Sequence, residues 1–147
     1  MLTSLKLIFE RDLLKLKTEI ELYQNESNIW LINKSISNSA GNLCLHLVGN
    51  LNAYIGFGLA NINYTRERDL EFSLKDVPRT YLIEKINQTI IVVQTGLNNL
   101  DERKMETNFP IVIWEQPTRM DYTLIHLATH LAYHLGQINY HRRLLDD

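Results

Sequence analysis

Four of the five histidines in the 147-residue chain lie in one segment near its end, residues 121–145. These are His126, His130, His134 and His141. The first three recur at every fourth residue, and in a helix this spacing places side chains on one face, one turn apart. Two imidazoles at i and i+4 can bind the same metal ion. The spacing therefore indicates a metal site on the last helix of the protein.

The apolar residues of this segment predict which histidines face inward. They follow one another at steps of three and four, which marks the stripe that faces a core: Leu124, Leu127, Leu131, Leu135 and Ile138. At about 100° per residue, His130 and His134 fall roughly 60–100° to one side of this stripe, and His126 falls about 140° away. His141 lies about 10 Å along the helix axis from His134, too far to share an ion. We therefore expect His130 and His134 to be the ligands.

The remaining two histidines of the segment are weaker candidates for metal ligands. We expect His126 to support the site from the second layer of residues or to lie on the surface. His141 is predicted to be a charged group near the helix C-terminus, where the helix dipole favours a cation.

The fifth histidine, His46, lies far upstream in the apolar run NLCLHLVGN. A buried polar group needs a partner, so His46 is either a hydrogen-bonded core histidine or a ligand. We expect it to come from a second helix and to complete the site with His130 and His134. Gln137, one turn beyond His134, and Asn50, one turn after His46, could orient a ligand or bond to a water on the metal.

Other catalytic motifs are absent from the sequence. Leu131 follows His130, so the glutamate of the HExxH metalloprotease motif is missing, and there is no GxSxG, P-loop or GxGxxG. Cys44 lacks the electropositive setting of a catalytic thiol. Three imidazoles leave a position for water or substrate, as in catalytic zinc sites, so any catalysis must come from the metal and a bound substrate.

The elements that must position these residues are four long helices. Apolar spacing predicts helix one over 3–25. Helix two is predicted to begin at an N-cap, Ser37, Asn38 or Ser39, and to continue to about residue 61. Helix three follows Asp76 as N-cap, with Pro78 in its first turn, and its apolar stripe runs to residue 100. Asp121 is predicted to cap helix four.

Three connections join the predicted helices. Residues 26–38 form an irregular connection with Ile29, Trp30 and Ile32 as buried anchors, and residues 101–119 form a loop. The polar segment 61–76 is long for a link between neighbouring helices, and its RERD run is typical of a solvated loop. Strand signals are nearly absent. We therefore predict a single all-α domain over residues 1–147, a four-helix bundle with a long crossover between helices two and three.

The composition of the chain limits the possible classes of partner and compartment. The formal net charge is −2 without a clustered basic face, so we expect no nucleic-acid partner. The single cysteine fits a reducing compartment, and charges interrupt the apolar N-terminus, so we expect a cytoplasmic protein. Residues 35–64 carry no charge, but their asparagines and glycines favour a helix buried in a bundle over a membrane span.

These residues resemble those of the DinB-like (YfiT-like) superfamily of small bacterial four-helix proteins. The resemblance rests on the mid-helix histidine of GNLCLHLVGNL and on HLATHLAYHLGQINYHRRLL, and it covers essentially the whole chain. It implies that His46, His130 and His134 bind a divalent metal. Members with known activity are thiol-dependent transferases and isomerases, in which the metal activates the thiol of a low-molecular-weight cofactor. Others have no assigned reaction.

Two classes of function therefore stay open. The first is a metal-dependent transferase or hydrolase acting on an unidentified small molecule through a thiol or water on the ion. The second is a non-catalytic, stress-related metal-binding protein or dimerisation module. Imidazole ligands suit zinc and nickel first, with iron, manganese and copper as alternatives. We also expect a homodimer, because the apolar helix faces exceed what one small core covers.

Overall fold

The computed structural model describes residues 1–146 and is all-helical, without a strand among those residues. Its helices are α1 (Leu2–Glu21), α2 (Ala40–Leu51), α3 (Phe57–Leu59), α4 (Arg68–Ser73), α5 (Arg79–Asn98) and α6 (Met120–Leu145). Short 3-10 helices occupy Glu26–Trp30 and Glu102–Lys104, and a π-helical turn, Asn52–Gly56, joins α2 to α3. The loop after α5 contains one isolated antiparallel bridge, between Asn108 and Arg119.

The four long helices share one core. Helix α1 packs on α5 and α6, and α2 packs on α5 and α6 and also on α4. The predicted stripes of α1 and α6 are confirmed as buried: Leu5, Phe9, Leu13, Leu16, Ile20, Leu124, Leu127, Leu131, Leu135 and Ile138. All twelve residues of α2 are buried, as expected for an uncharged helix enclosed on every side. No helix within residues 1–146 is both long enough and apolar enough to cross a membrane.

Two predicted caps are wrong. Asp76 lies outside α5 with a φ of 55°, in the left-handed region, and the first helical amide is instead accepted by the carboxylate of Glu26, at 2.6 Å from Arg79 N. Asp121 lies inside the first turn of α6, where its carboxylate accepts the amide of Tyr122 at 2.7 Å. In contrast, Ser39 is confirmed as the N-cap of α2.

Two smaller differences concern the first third of the chain. Helix α1 ends at Glu21, four residues before the predicted end, because the amides of Gln24 and Asn25 donate to the carboxylate of Asp146 instead of continuing the helix. In the connection that follows, Ile29 and Trp30 are buried as predicted, but Ile32 is exposed.

The predicted helix two is continuous only with the help of the π turn. After the turn, the amide of Ala60 donates a hydrogen bond to the carbonyl of Ile55, five residues earlier, at 3.0 Å. The side chain of Asn52 donates to the carbonyl of Val48 at 2.8 Å and to the hydroxyl of Thr89 on α5 at 2.9 Å. These bonds satisfy the amide of a buried asparagine and tie the turn to α5.

The segment 61–76 is not a plain solvated loop. It contains α4, which is held against α2 by the side chain of Asn42. The amide nitrogen of Asn42 donates to the carbonyls of Glu71 and Leu74, at 3.0 and 2.8 Å. These carbonyls lie at the C-terminal end of α4, where the last turn of a helix leaves acceptors free. The connection therefore contains a short helix, α4, that packs against the face of α2 carrying His46.

Candidate metal centre

Helices α2 and α6 bring His46, His130 and His134 together. The Nε2 atom of His130 lies 3.1 Å from Nε2 of His46 and 3.1 Å from Nε2 of His134. One ring nitrogen from each of the three residues lies within 4.8 Å of the other two. Zinc–imidazole bonds of 2.0–2.1 Å in tetrahedral geometry place neighbouring ligand nitrogens about 3.3 Å apart. The spacing is therefore of the size that one ion requires.

The hydrogen bonds of the outer ring nitrogens support the same interpretation. Nδ1 of His134 lies 2.7 Å from the Oε1 atom of Gln137, and a carbonyl oxygen can only accept, so Nδ1 carries the proton. In the neutral ring, Nε2 of His134 then presents a lone pair to the centre of the cluster. A cation is the partner that can satisfy lone pairs converging from several rings.

His46 is oriented by a carboxylate that the sequence analysis missed. Its Nδ1 atom lies 3.5 Å from Oε2 of Glu71, on α4. Glu71 is buried, and Arg66 binds it in bidentate fashion, at 2.8 and 3.0 Å. Burial raises the pKa of the Glu71 carboxyl, but hydrogen bonds from His46 and Arg66 outweigh this effect, and the net pKa is lowered. The carboxylate therefore faces His46 in its charged form at neutral pH.

The rings also pack against aromatic side chains. Phe72 of α4 lies 5.0 Å from His46 between ring centroids, and Tyr133 lies 5.2 Å from His134. His126 does not join the three histidines: its ring stacks on His130 with centroids 6.2 Å apart, and it meets the ring of Trp114 at 4.7 Å. His126 thus packs beside the centre from the outer side.

The electrostatics of the cluster favour neutral imidazoles. Burial, together with the neighbouring histidines, lowers the pKa of His130 from 6.5 to about 4. Burial also lowers the pKa of His134, although the hydrogen bond with Gln137 opposes this shift. Only a neutral ring offers a lone pair to a metal, so the cluster is poised for ligation at neutral pH.

Two buried polar atoms at or near the centre have no protein partner among the described residues. These are Nδ1 of His130 and Oδ1 of Asn50. Gln137 bonds to His134 itself, whereas Asn50 lies one helical turn from His46 and keeps its acceptor free. A buried acceptor of this kind is normally satisfied by water or by a ligand.

His141 has two hydrogen-bond partners that the sequence did not predict. Its ring is buried, with Nδ1 2.7 Å from the hydroxyl of Tyr23 and Nε2 2.8 Å from the carbonyl of Leu31. A ring protonated at Nε2 satisfies both contacts, because the carbonyl accepts from Nε2 and the hydroxyl donates to Nδ1. His141 therefore joins α6 to α1 and to the following connection, away from the three-histidine cluster.

A surface cavity of about 500 Å³ adjoins the histidine cluster on the His134 side. Its wall comes from the connection before α2 and from the outer face of α6, and includes Ser35, Ser37, Asn38, Tyr133, Gln137 and Tyr140. The lining contains hydroxyl, amide and imidazole groups but no carboxylate, ammonium or guanidinium group. Cys44, in contrast, is fully buried, and burial raises the pKa of its thiol to about 12. It is unsuited to act as a nucleophile.

Comparison with known proteins places the chain in a family without assigning a reaction. A search of curated proteins and a search of solved structures find no match. A family model matches residues 6–147, nearly the whole sequence. The chain therefore belongs to the family described as "Protein of unknown function (DUF1572)".

Proposed function

We propose that this protein is a DinB-like four-helix-bundle protein that binds one divalent metal ion through His46, His130 and His134. The single observation that carries the proposal is the convergence of three Nε2 atoms from two helices, with 3.1 Å between neighbours. The two outer rings are each oriented through Nδ1, by Glu71 and by Gln137. Such outer partners are usual for metal-ligating histidines.

A divalent ion held by His46, His130 and His134 would supply Lewis acidity, which would lower the pKa of a water or thiol and make it nucleophilic at neutral pH. The protein contributes three imidazole ligands, and no further histidine, cysteine, aspartate or glutamate of the described residues joins the cluster. Catalytic zinc sites keep such an open position, whereas structural sites use four protein ligands. We therefore favour a transferase or hydrolase that acts through a thiol or water.

The cavity beside His134 is the proposed approach for the small-molecule substrate. Its wall is uncharged and combines the apolar side chains of Ile36, Leu43 and Leu144 with hydroxyl and amide groups, which suits an uncharged, partly apolar molecule with a few hydrogen-bonding groups. A low-molecular-weight thiol could enter from this side, with Tyr133 and Tyr140 at the mouth. Zinc and nickel are the proposed ions, with iron, manganese and copper as alternatives.

Metal analysis tests the proposal directly. Metal-free protein is loaded with each ion in turn, desalted, and analysed for bound metal per chain. We expect one equivalent of zinc or nickel on the wild type and none on His130→Ala. Loss of every ion on desalting of the wild type contradicts the proposal. A thiol-consumption assay with several electrophiles and low-molecular-weight thiols then tests catalysis.

A second candidate is a protein of the same fold that binds a metal without catalysis. The observation in its favour is that Glu71, the carboxylate at the cluster, is already paired with Arg66 and His46. No free carboxylate is then left among the described residues of the cluster to act as a general base. Stoichiometric metal binding without turnover of any thiol or electrophile favours this candidate.

We propose a homodimer for either candidate. The outer face of α6 exposes large apolar and aromatic side chains, namely Tyr122, Ile125, Tyr133, Tyr140 and Leu144. Exposed apolar side chains on one helix face are typical of interaction sites, and Tyr122 and Ile125 do not line the cavity beside His134.

A further inference from the structure

One face of α2 meets α4, and the residues on it are polar or small in an otherwise apolar helix. Asn42, His46 and Gly49 follow at steps of four and three, so they share this face. Asn42 holds the C-terminal carbonyls of α4, and His46 faces Glu71. These contacts account for Asn42 and His46 on this face of α2. They do not account for Gly49.

The carboxylate of Glu71 lies directly against Gly49 of α2. A Cβ atom added to Gly49 would overlap Oε1 of Glu71 and would lie 2.7 Å from its Cδ atom. Both residues are buried, so a carboxylate displaced from this position would also lose its bidentate contact with Arg66. Glycine weakens a helix interior relative to alanine, which makes a specific spatial reason for its presence the expected one.

The carboxylate in this position is the acceptor that His46 needs as a metal ligand. When Nε2 gives its lone pair to an ion, Nδ1 carries the proton and requires an acceptor. Two groups lie near Nδ1: Oε2 of Glu71 at 3.5 Å and Nη2 of Arg66 at 3.4 Å. A guanidinium only donates, so Glu71 alone can accept this proton.

We propose that Gly49 is a positioning residue of the metal centre, which, by lacking a side chain, lets Glu71 dock against α2 and orient His46 for ligation. The inference rests on the proposed metal-binding function. It extends that function from the three ligands to a glycine that contacts none of them through a side chain. Gly49 acts through Glu71, so the effects of changing the two residues must be coupled.

A double-mutant cycle tests this coupling. The variants are Gly49→Ala, Glu71→Ala, the double variant, and Gly136→Ala as a matched control, since a Cβ at Gly136 meets nothing within 4 Å. Zinc affinity is measured by competition with a chromophoric chelator. The visible spectrum of bound cobalt reports the ligand geometry, and the urea midpoint of the metal-free protein reports folding.

We expect Gly49→Ala and Glu71→Ala each to weaken zinc binding roughly 10–100-fold, the range usual for partners of metal-ligating histidines. Gly136→Ala should stay close to the wild type. The double variant should bind like Glu71→Ala alone, because the alanine then fills space that the carboxylate has left. A changed cobalt spectrum in Gly49→Ala, but not in Gly136→Ala, completes the expected result.

Other outcomes overturn the inference. Unchanged affinity in Gly49→Ala, or independent losses that multiply in the double variant, means that Gly49 does not act through Glu71. If Gly49→Ala does not fold, the double variant should recover folding, and its failure to do so also contradicts the inference. A wild type that binds no metal refutes the proposed function instead. In that case the urea midpoints still show whether Gly49 and Glu71 are coupled.

Discussion

The Nδ1 atom of each histidine in the cluster has a different environment. His46 faces a carboxylate, His134 faces an amide oxygen, and His130 stands between them with Nδ1 buried and without a partner among the described residues. Besides the His126 ring that stacks on it, the central ring has, among the described residues, only the Nε2 atoms of its two neighbours as polar contacts. Its removal should have the largest effect on metal binding.

His130→Ala should abolish stoichiometric zinc binding and leave the fold intact, because the ring is only half-buried. His141→Ala should do the reverse, since it leaves the buried hydroxyl of Tyr23 and the carbonyl of Leu31 without their partner. We expect it to lower the free energy of unfolding by roughly 1–3 kcal/mol while one equivalent of zinc is still bound. Metal analysis and urea denaturation measure the two effects. Equal loss of zinc in both variants would contradict the assignment.

The lowered pKa of His130 predicts a pH dependence of the metal-free protein. In the unfolded chain this imidazole gains a proton near pH 6.5, whereas in the folded protein its pKa is about 4. The unfolded state therefore binds more protons between these values, and stability should fall as the pH falls from about 6.5 to about 4. Urea midpoints across this range should fall less steeply for His130→Asn than for the wild type. Parallel curves would show that His130 is not the group responsible.

The sequence carries enough information to single out the three histidines and Gln137, but not Glu71 and Arg66. Spacing against the leucine stripe selects His130 and His134, and the apolar setting of His46 identifies a buried polar group. Glu71 and Arg66 belong to a charged segment whose composition is that of a solvated loop, so no local signal distinguishes them. The partners of His141 could not be predicted for a related reason: Tyr23 and Leu31 lie more than a hundred residues away in sequence.

At the scale of elements, α4 is the part that periodicity could not predict. It has only six residues, Arg68–Ser73, too few to show an apolar repeat, and it depends on contacts with α2. The four long helices were predictable because each carries a stripe of five or more apolar residues. The ends of these helices were less predictable, because Glu26 and Asp146 accept hydrogen bonds from amides of residues far away in sequence.

Asn42→Asp should loosen α4 without changing the shape of the side chain. The substitution replaces the amide group that donates to the carbonyls of Glu71 and Leu74 with an oxygen, which cannot donate to them. We expect faster amide hydrogen exchange in α4 and stability lower by about 1–3 kcal/mol. Asn63→Asp, at an exposed position of the same connection, is the control. Unchanged exchange in α4 would mean that Asn42 does not hold it.

At the scale of the whole molecule, the outer face of α6 predicts self-association. Tyr122 and Ile125 are 59% and 45% exposed, on the helix that also supplies two of the histidines, and neither lines the cavity beside His134. Burial of these side chains between two copies would remove apolar area from water, which drives association, and would leave the proposed substrate approach open. Sedimentation at micromolar concentration should show a dimer for the wild type and a monomer for Ile125→Asp. A monomeric wild type would refute the homodimer.

The π turn between α2 and α3 has a consequence for the way the chain fills its interior. Leu47, Leu51, Ile55 and Leu59 are all buried, although residues four apart drift around an α-helix by about 40° at each step. A π turn takes more residues per revolution and cancels part of this rotation, so Ile55 and Leu59 both lie against Gly96 of α5. Were the same residues wound as a regular α-helix, Leu59 would lie about 80° around the helix axis from Leu51 and would turn away from that glycine.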